Sequence, residues 1–235
     1  MKKNMIDPCQ NHLLARLPSE VRERLFTELE QLELKAGDIV SEPNKVSRYV
    51  YFPIASTFAL YYPMDHGISS EIALIGKEGM FSIVPVLGGK TLPYMAMVET
   101  PGFAYRMEWK TFKRELDRSS SLKDLILLYT QALFTQMAQL SICGRHHSLR
   151  QQLCFHLLLM HDRASADRFV LTQQTIAHML GVRRESVTKA SVELRENGFI
   201  DYRRGFLTVR NRNGLEGQCC ECYNVVREEF YRLLG

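Results

Sequence analysis

The stretch LTQQTIAHMLGVRRESVTKASVELRENGF, residues 171–199, constrains the fold more tightly than any other part of this chain. Thr172 is placed to cap a helix whose apolar positions Ile176, Met179 and Leu180 recur three and four apart on one face. Gly181 ends that helix, because glycine readily takes the left-handed conformation that stops a helix and turns the chain. Val187, Ala190, Val192 and Leu194 mark a second helix that finishes before Gly198. Ala177 is small where the two helices must cross, and Ile176, Leu180, Val182, Val187 and Ala190 would form the shared core of a helix-turn-helix.

An ordinary helical hairpin would satisfy the same periodicity. It would have no use, however, for the residues left outside the core. Arg183, Arg184, Glu185, Ser186 and Lys189 fall at the start and on the open side of the second helix. In a helix-turn-helix that end enters the major groove, where arginine pairs with guanine, glutamate accepts from cytosine N4, and Ser or Lys holds phosphate or a base edge. The next segment, FIDYRRGFLTVRNR, reads as two short strands around Arg203-Arg204-Gly205. A basic hairpin directly after such a helix is the wing of a winged helix, placed near the phosphate backbone; taken alone it would read as a solvated hairpin.

The charge distribution agrees with this reading. The net charge is +4, and residues 1–143 are balanced with 16 basic and 16 acidic residues. Residues 144–235 hold 14 basic against 10 acidic, and 183–212 alone hold eight against four, so the positive charge sits where a polyanion would bind. The opening MKKNMIDPCQNHLLARLP lacks a sustained apolar core of the secretory kind, and no apolar run approaches the roughly 20 residues of a bilayer span. A cytoplasmic protein is expected, with no membrane partner, and its six cysteines (9, 143, 154, 219, 220 and 222) are then expected as thiols.

The N-terminal half has a different texture. Leu13, Leu14 and Leu17, then Val21, Leu25, Leu29 and Leu32, suggest short amphipathic helices. From Gly37 the runs DIVSEP, RYVYFPI, TFALYYP, SSEIALIG, MFSIVPVLG, YMAMVETP and FAYRMEW read as strands, separated by turn residues. Many short strands at regular spacing suggest a small antiparallel barrel or jelly roll. A cupin-like enzyme shares that architecture but needs clustered His and carboxylate ligands, and this region offers only His66, with His12 in the leading helices. No catalytic residue is assigned, and a non-enzyme is expected. A long helix follows, with Leu122, Ile126, Tyr129, Leu133, Met137 and Leu140 on one line and Leu125 and Leu128 on a second. So wide a stripe can serve both its own barrel and a partner copy.

Barrel, long helix and winged helix, in this order, resemble the CRP/FNR family of bacterial transcription regulators over essentially the whole chain. The closest likeness lies in LTQQTIAHMLGVRRESVTKASVELRENGFIDYRRGFLTV. That resemblance implies base contacts from Arg184, Glu185 and Lys189, with support from Arg183 and Ser186. EGMFSIVPVLGG resembles the segment that cradles the cyclic phosphate in nucleotide-binding members. Those members carry glutamate after the glycine and an arginine further on; here Met80 follows Gly79, and no basic residue lies between Lys90 and Arg106, with Tyr94 near the arginine position. A buried phosphate would lack its cation, so cyclic AMP in the usual mode is not expected. Iron-sulfur members carry a close N-terminal cysteine cluster, and this chain has only Cys9 there.

The expectation is an α+β chain: a cyclic-nucleotide-binding-like effector barrel or jelly roll (1–117), a dimerisation helix (118–143) and a winged helix-turn-helix DNA-binding domain (144–235). It would act as a homodimer on a palindromic site in double-stranded DNA, working with RNA polymerase and responding to a small-molecule effector of unknown identity. Thr172 and Gln174 at the first helix, with Arg203 and Arg204 in the wing, would hold phosphates. No cofactor or metal ligand is assigned, because QCCECY and CGRHH match no paired C-x-x-C pattern. A metal- or thiol-redox-sensing regulator of the same fold stays as an alternative, since thiolates beside His146 and His147 suit zinc or copper.

Overall fold

The computed structural model describes residues 5–63, 69–164 and 167–235; His66 lies outside them. Two short helices, α1 (His12–Ala15) and α2 (Ser19–Phe26), open the chain. The Asn11 side chain accepts from the backbone N–H of Leu13 and Leu14, and donates to the carbonyls of Pro53 and Gly79, fastening α1 to the sheets. Among the described residues seven strands follow: β1 (Glu30–Leu34), β2 (Ile39–Ser41), β3 (Tyr49–Pro53), β4 (Thr57–Pro63), β5 (Ser69–Ile75), β6 (Met95–Thr100) and β7 (Gly102–Glu108). All pairings are antiparallel, in the orders β1-β7-β3 and β2-β6-β4-β5.

These are two separate sheets on one core, jelly-roll-like rather than a closed barrel. Tyr51, Phe58 and Phe81 pack together between them, while Phe52 lies on the opposite face of its sheet against Phe112; Val50, Leu60 and Tyr105 are buried in the same core. Each such side chain removed from water is worth about 1.5–3 kcal/mol.

Two sequence expectations change here. Leu29 and Leu32 do not continue a helix: the chain leaves α2 at Phe26, and residues 30–34 pair with β7. Pairing of all five residues of EQLEL with β7 prevails over the three-residue spacing of the leucines. The run MFSIVPVLG is not a strand but a 3-10 turn over Val84–Leu87, with one isolated bridge between Phe81 and Tyr51. Ser82 has φ 79° and Pro85 has no N–H to donate, so this run cannot extend into a ladder.

Helix α3 (Trp109–Arg118) leads into α4 (Ser120–His146), which Ser119 caps through the N–H of Leu122. Leu122, Ile126, Tyr129, Leu133 and Leu140 are buried within their own chain. The Tyr129 hydroxyl donates to the Met80 carbonyl at 2.9 Å. By length and composition α4 is the one helix among the described residues apolar enough to cross a membrane, but this stripe packs it on the sheets.

A capping box at Ser148 and Gln151 starts α5 (Leu149–Arg163). The third sheet, β8 (Arg168–Val170), β10 (Phe206–Val209) and β9 (Ile200–Arg203) in that order, flanks α6 (Gln173–Leu180) and α7 (Arg184–Glu196). Helices α8 (Arg212–Gln218) and α9 (Cys222–Leu234) close the chain, and α9 runs back along α4, with Glu229 3.2 Å from Gln131 and Phe230 against Tyr129.

Arg163 bolts the two halves together. It is buried at the end of α5, pairs with Glu78 at 2.9 Å, donates to Gln136 of α4 and stacks over Phe230 of α9. A cavity of about 350 Å³ lies in the same seam, lined by Glu71, Met137, Leu140, His156, Met179 and Leu180 among others.

Candidate nucleic-acid interface

The helix pair forms for the reasons its sequence suggests. The Thr172 hydroxyl accepts from Thr175 N–H at 3.0 Å, capping α6, and Gly181 ends it at φ 63° and ψ 32°. Ile176, Ala177, Met179, Val187, Ala190 and Leu194 are buried, whereas Leu180 and Val182 are only half-buried. Met179 therefore takes the central place expected of Leu180. Thr188 donates to Gln173 at 2.9 Å, tying the second turn of α7 to the start of α6.

Arg183 occupies the N-cap of α7 and gives no side-chain cap. The first turn keeps free N–H groups and the positive end of the helix dipole, a combination that attracts phosphate. Arg183, Arg184, Glu185, Ser186 and Lys189 are all exposed. Among the described residues, the side chains of Arg183, Arg184, Glu185 and Lys189 make no hydrogen bond or ion pair. Arg106, Arg163, Arg212 and Arg232, by contrast, are all paired with carboxylates. Unpaired cations concentrated at one helix end leave their attraction for an external anion unspent.

The wing is a two-residue hairpin. Arg204 at φ 50° and Gly205 at φ 81° sit between Arg203 and Phe206, which pair across the strands. Positive φ at both central residues is the type I′ pattern, whose twist matches that of the strands. Glycine takes that conformation without strain, but an arginine does not. The turn leans on the start of α6: Leu171 N–H donates to the Gly205 carbonyl at 2.9 Å, and the Tyr202 hydroxyl to the Leu171 carbonyl at 2.8 Å. Thr172 and the wing turn are thus neighbours. Arg203 is exposed but lies 3.3 Å from Asp201, which Arg210 also reaches. Desolvation opposes the charge on Asp201, yet Arg210 and Arg203 hold its carboxyl below the usual range. An exposed pair of this kind is weak and easily exchanged for phosphate. Gln174 is exposed, with its amide 2.8 Å from His178 Nε2.

The nine residues singled out from sequence therefore occupy three adjoining places: the start of α6, the start of α7 and the wing tip. Arg150 joins them. It shares a surface groove with Ser186, Lys189 and Glu193, a placement that depends on how α5 crosses α7 and leaves no local mark in the sequence.

Residues 151–217 match the family pattern of the Crp-like helix-turn-helix domain. The chain is 25% identical over 219 residues to the global nitrogen regulator of Synechococcus elongatus, covering 89% of this chain and 97% of that protein. Among solved structures it is similar to FixK2 from Bradyrhizobium japonicum (TM-score 0.69, 15% identity, 82% of this chain and 98% of that one). It is also similar to a crp/fnr-family transcriptional regulator from Eubacterium rectale (TM-score 0.67, 17% identity, 88% and 96%). The chain thus has the CRP/FNR-type transcription-regulator fold. Its C-terminal region is a Crp-like DNA-binding helix-turn-helix domain.

Proposed function

We propose that the protein is a homodimeric, sequence-specific regulator of transcription with no catalytic role, acting in the cytoplasm. Residues 1–117 form the effector domain, 118–143 the dimerisation helix and 144–235 the DNA-binding domain. Arg184, Glu185 and Lys189 read base edges, Arg183 and Ser186 support them, and Thr172, Gln174, Arg203 and Arg204 hold phosphates. The observation that carries this reading is the unpaired, exposed cluster at the start of α7, set beside the wing.

The dimer rests on a face of α4 other than its buried stripe. Leu127, Leu128, Phe134 and Ile142 are 43%, 39%, 55% and 43% exposed, a line of apolar side chains open to solvent. A second copy meeting along this line would remove it from water. Two recognition helices would then face successive major grooves about 34 Å apart.

Cyclic AMP in the usual mode is not the signal. Met80 is fully buried, and Tyr51, Phe58 and Phe81 pack together in the same core, where a phosphate would need a cation. A different small molecule acting on the seam between the halves, and contact with RNA polymerase, complete the reading.

The test is binding of the purified protein to duplex DNA across a salt series. Log affinity should fall linearly with log salt, and the Arg203→Ala/Arg204→Ala protein should show a shallower slope by about 2. An unchanged slope would remove the wing from the interface.

A further inference from the structure

Of the six cysteines, Cys143, Cys220 and Cys222 gather with His147 where α4, α8 and α9 meet, while Cys9, Cys154 and Cys219, the last a neighbour of Cys220, are not in the group. One ligand atom from each of the four lies within 4.8 Å of all the others. Cys143 Sγ is 3.5 Å from Cys220 Sγ, and Cys222 Sγ is 3.5 Å from His147 Nδ1. The three cysteines are buried, and the His147 side chain is 14% exposed.

We propose that Cys143, His147, Cys220 and Cys222 form a four-coordinate zinc(II) site that fastens the C-terminal helix α9 to the end of α4.

Three features argue for a metal over mere packing of thiols. The spacing is within reach of a coordination tetrahedron. Zn–S bonds of about 2.3 Å and Zn–N bonds of about 2.0–2.1 Å place neighbouring ligand atoms about 3.5–3.8 Å apart; the Cys143–Cys220 and Cys222–His147 pairs stand at 3.5 Å, and all four ligand atoms lie within 4.8 Å of one another. A disulfide would need about 2.05 Å and would leave the third thiol unused. The imidazole is also oriented as a ligand. Its Nδ1 faces the sulfurs, and its Nε2 lies 3.3 Å from the Glu221 carboxylate. A metal-bound histidine commonly hands its other ring N–H to a carboxylate, which fixes the tautomer and strengthens the bond. Finally, the donor set suits the ion. Three sulfurs and one nitrogen in tetrahedral array select zinc among the common divalent cations, and four protein ligands leave no position open for chemistry.

The place of the site in the chain gives it a purpose. Cys143 and His147 lie in the last turn and at the C-cap of α4, immediately before Ser148 opens α5. Cys220 and Cys222 lie beyond residue 217, where the match to the helix-turn-helix domain ends. Zinc would hold α9 against α4 at the point where the long helix gives way to the DNA-binding domain. Binding there stabilises the folded chain and fixes that junction.

The test is made on the reduced, chelator-stripped full-length protein, titrated with cobalt(II) and then zinc(II). One equivalent of cobalt per chain should give the strong visible bands of four-coordinate cobalt, with thiolate charge transfer in the near ultraviolet. One equivalent of zinc should abolish both and raise the melting temperature. Cys143→Ala and Cys222→Ala should lose the signal, Glu221→Gln should weaken zinc binding by about 10–100-fold, and Cys219→Ala should keep it. The wild-type spectrum decides the matter even if a cysteine variant fails to fold. A pale six-coordinate cobalt spectrum, zinc uptake below one equivalent, or a signal lost with Cys219 would each overturn the proposal.

Discussion

Glu71 on β5 and His156 on α5 face each other at 3.5 Å, both sealed from solvent, across the seam between the sheet domain and the helix-turn-helix domain. Neither Glu71 oxygen nor His156 Nδ1 has a hydrogen-bond partner among the described residues. The two groups meet without a hydrogen bond to satisfy them, a costly arrangement for buried polar groups. Glu99 deepens the cost. It is buried beside Glu71 and accepts from the Tyr61 hydroxyl at 3.0 Å.

Burial, with the neighbouring Glu71 charge, pushes the Glu99 carboxyl up to about 7, against the opposing hydrogen bond from Tyr61. A carboxyl raised in the folded state binds its proton more tightly there than in the unfolded chain. Its contribution is complete below the ordinary value of 4.5 and is lost as pH rises through about 7. Stability measured by urea unfolding should therefore decline between those limits, by up to about 3 kcal/mol from this group. Glu99→Gln keeps the partner for Tyr61 and cannot ionise, so it should flatten that decline and unfold later than wild type at pH 8. An equally steep decline in the variant would assign the effect elsewhere.

Arg184→Ala should cost about 1–3 kcal/mol at the preferred DNA site and relax base preference at one position in each half-site. Competition binding against single-base variants of the site reads both effects. A variant that loses affinity equally for every sequence would make Arg184 a phosphate contact.

Arg204 holds a left-handed conformation that a glycine or asparagine would hold with less strain. Arg204→Asn should stabilise the fold by about 1 kcal/mol and at the same time weaken DNA binding. Unfolding and binding measured on one preparation test the trade. A gain in both would mean that the wing tip does not touch DNA.

Leu127→Glu with Phe134→Glu places charge on the exposed face of α4 without touching the buried stripe. Sedimentation should show the wild type as a dimer and the double variant as a folded monomer with sharply reduced affinity for DNA. A double variant that remains dimeric would move the interface to another surface.

The parts of this structure legible in the sequence are those written by local rules. Gly181 and the periodicity around it specify the helix pair, and the strands of TFALYYP and SSEIALIG carry their turn residues beside them. What the sequence leaves misread or unassigned depends on partners far along the chain. EQLEL becomes a strand because β7 lies alongside it, and the three residues of β8 are a strand only because β10 is there. The leucines of α4 looked like one stripe serving two purposes. The structure divides them, with Tyr129 and Leu133 turned inward and Leu127 and Phe134 left outside. The two thiol segments stand out as metal-ligand candidates, but their meeting does not, since Cys143 and Cys220 stand 77 residues apart and come together only through the return of α9 along α4.

The central claim is that the start of α7 reads DNA in a two-fold arrangement. Selection of random duplex DNA by the purified protein, followed by sequencing, tests it most directly. The account expects an inverted repeat whose half-sites are about 10 base pairs apart, centre to centre, with the enrichment lost in the Arg184→Ala protein. Enrichment of no motif, or of the same motif by the Arg184→Ala protein, would contradict it.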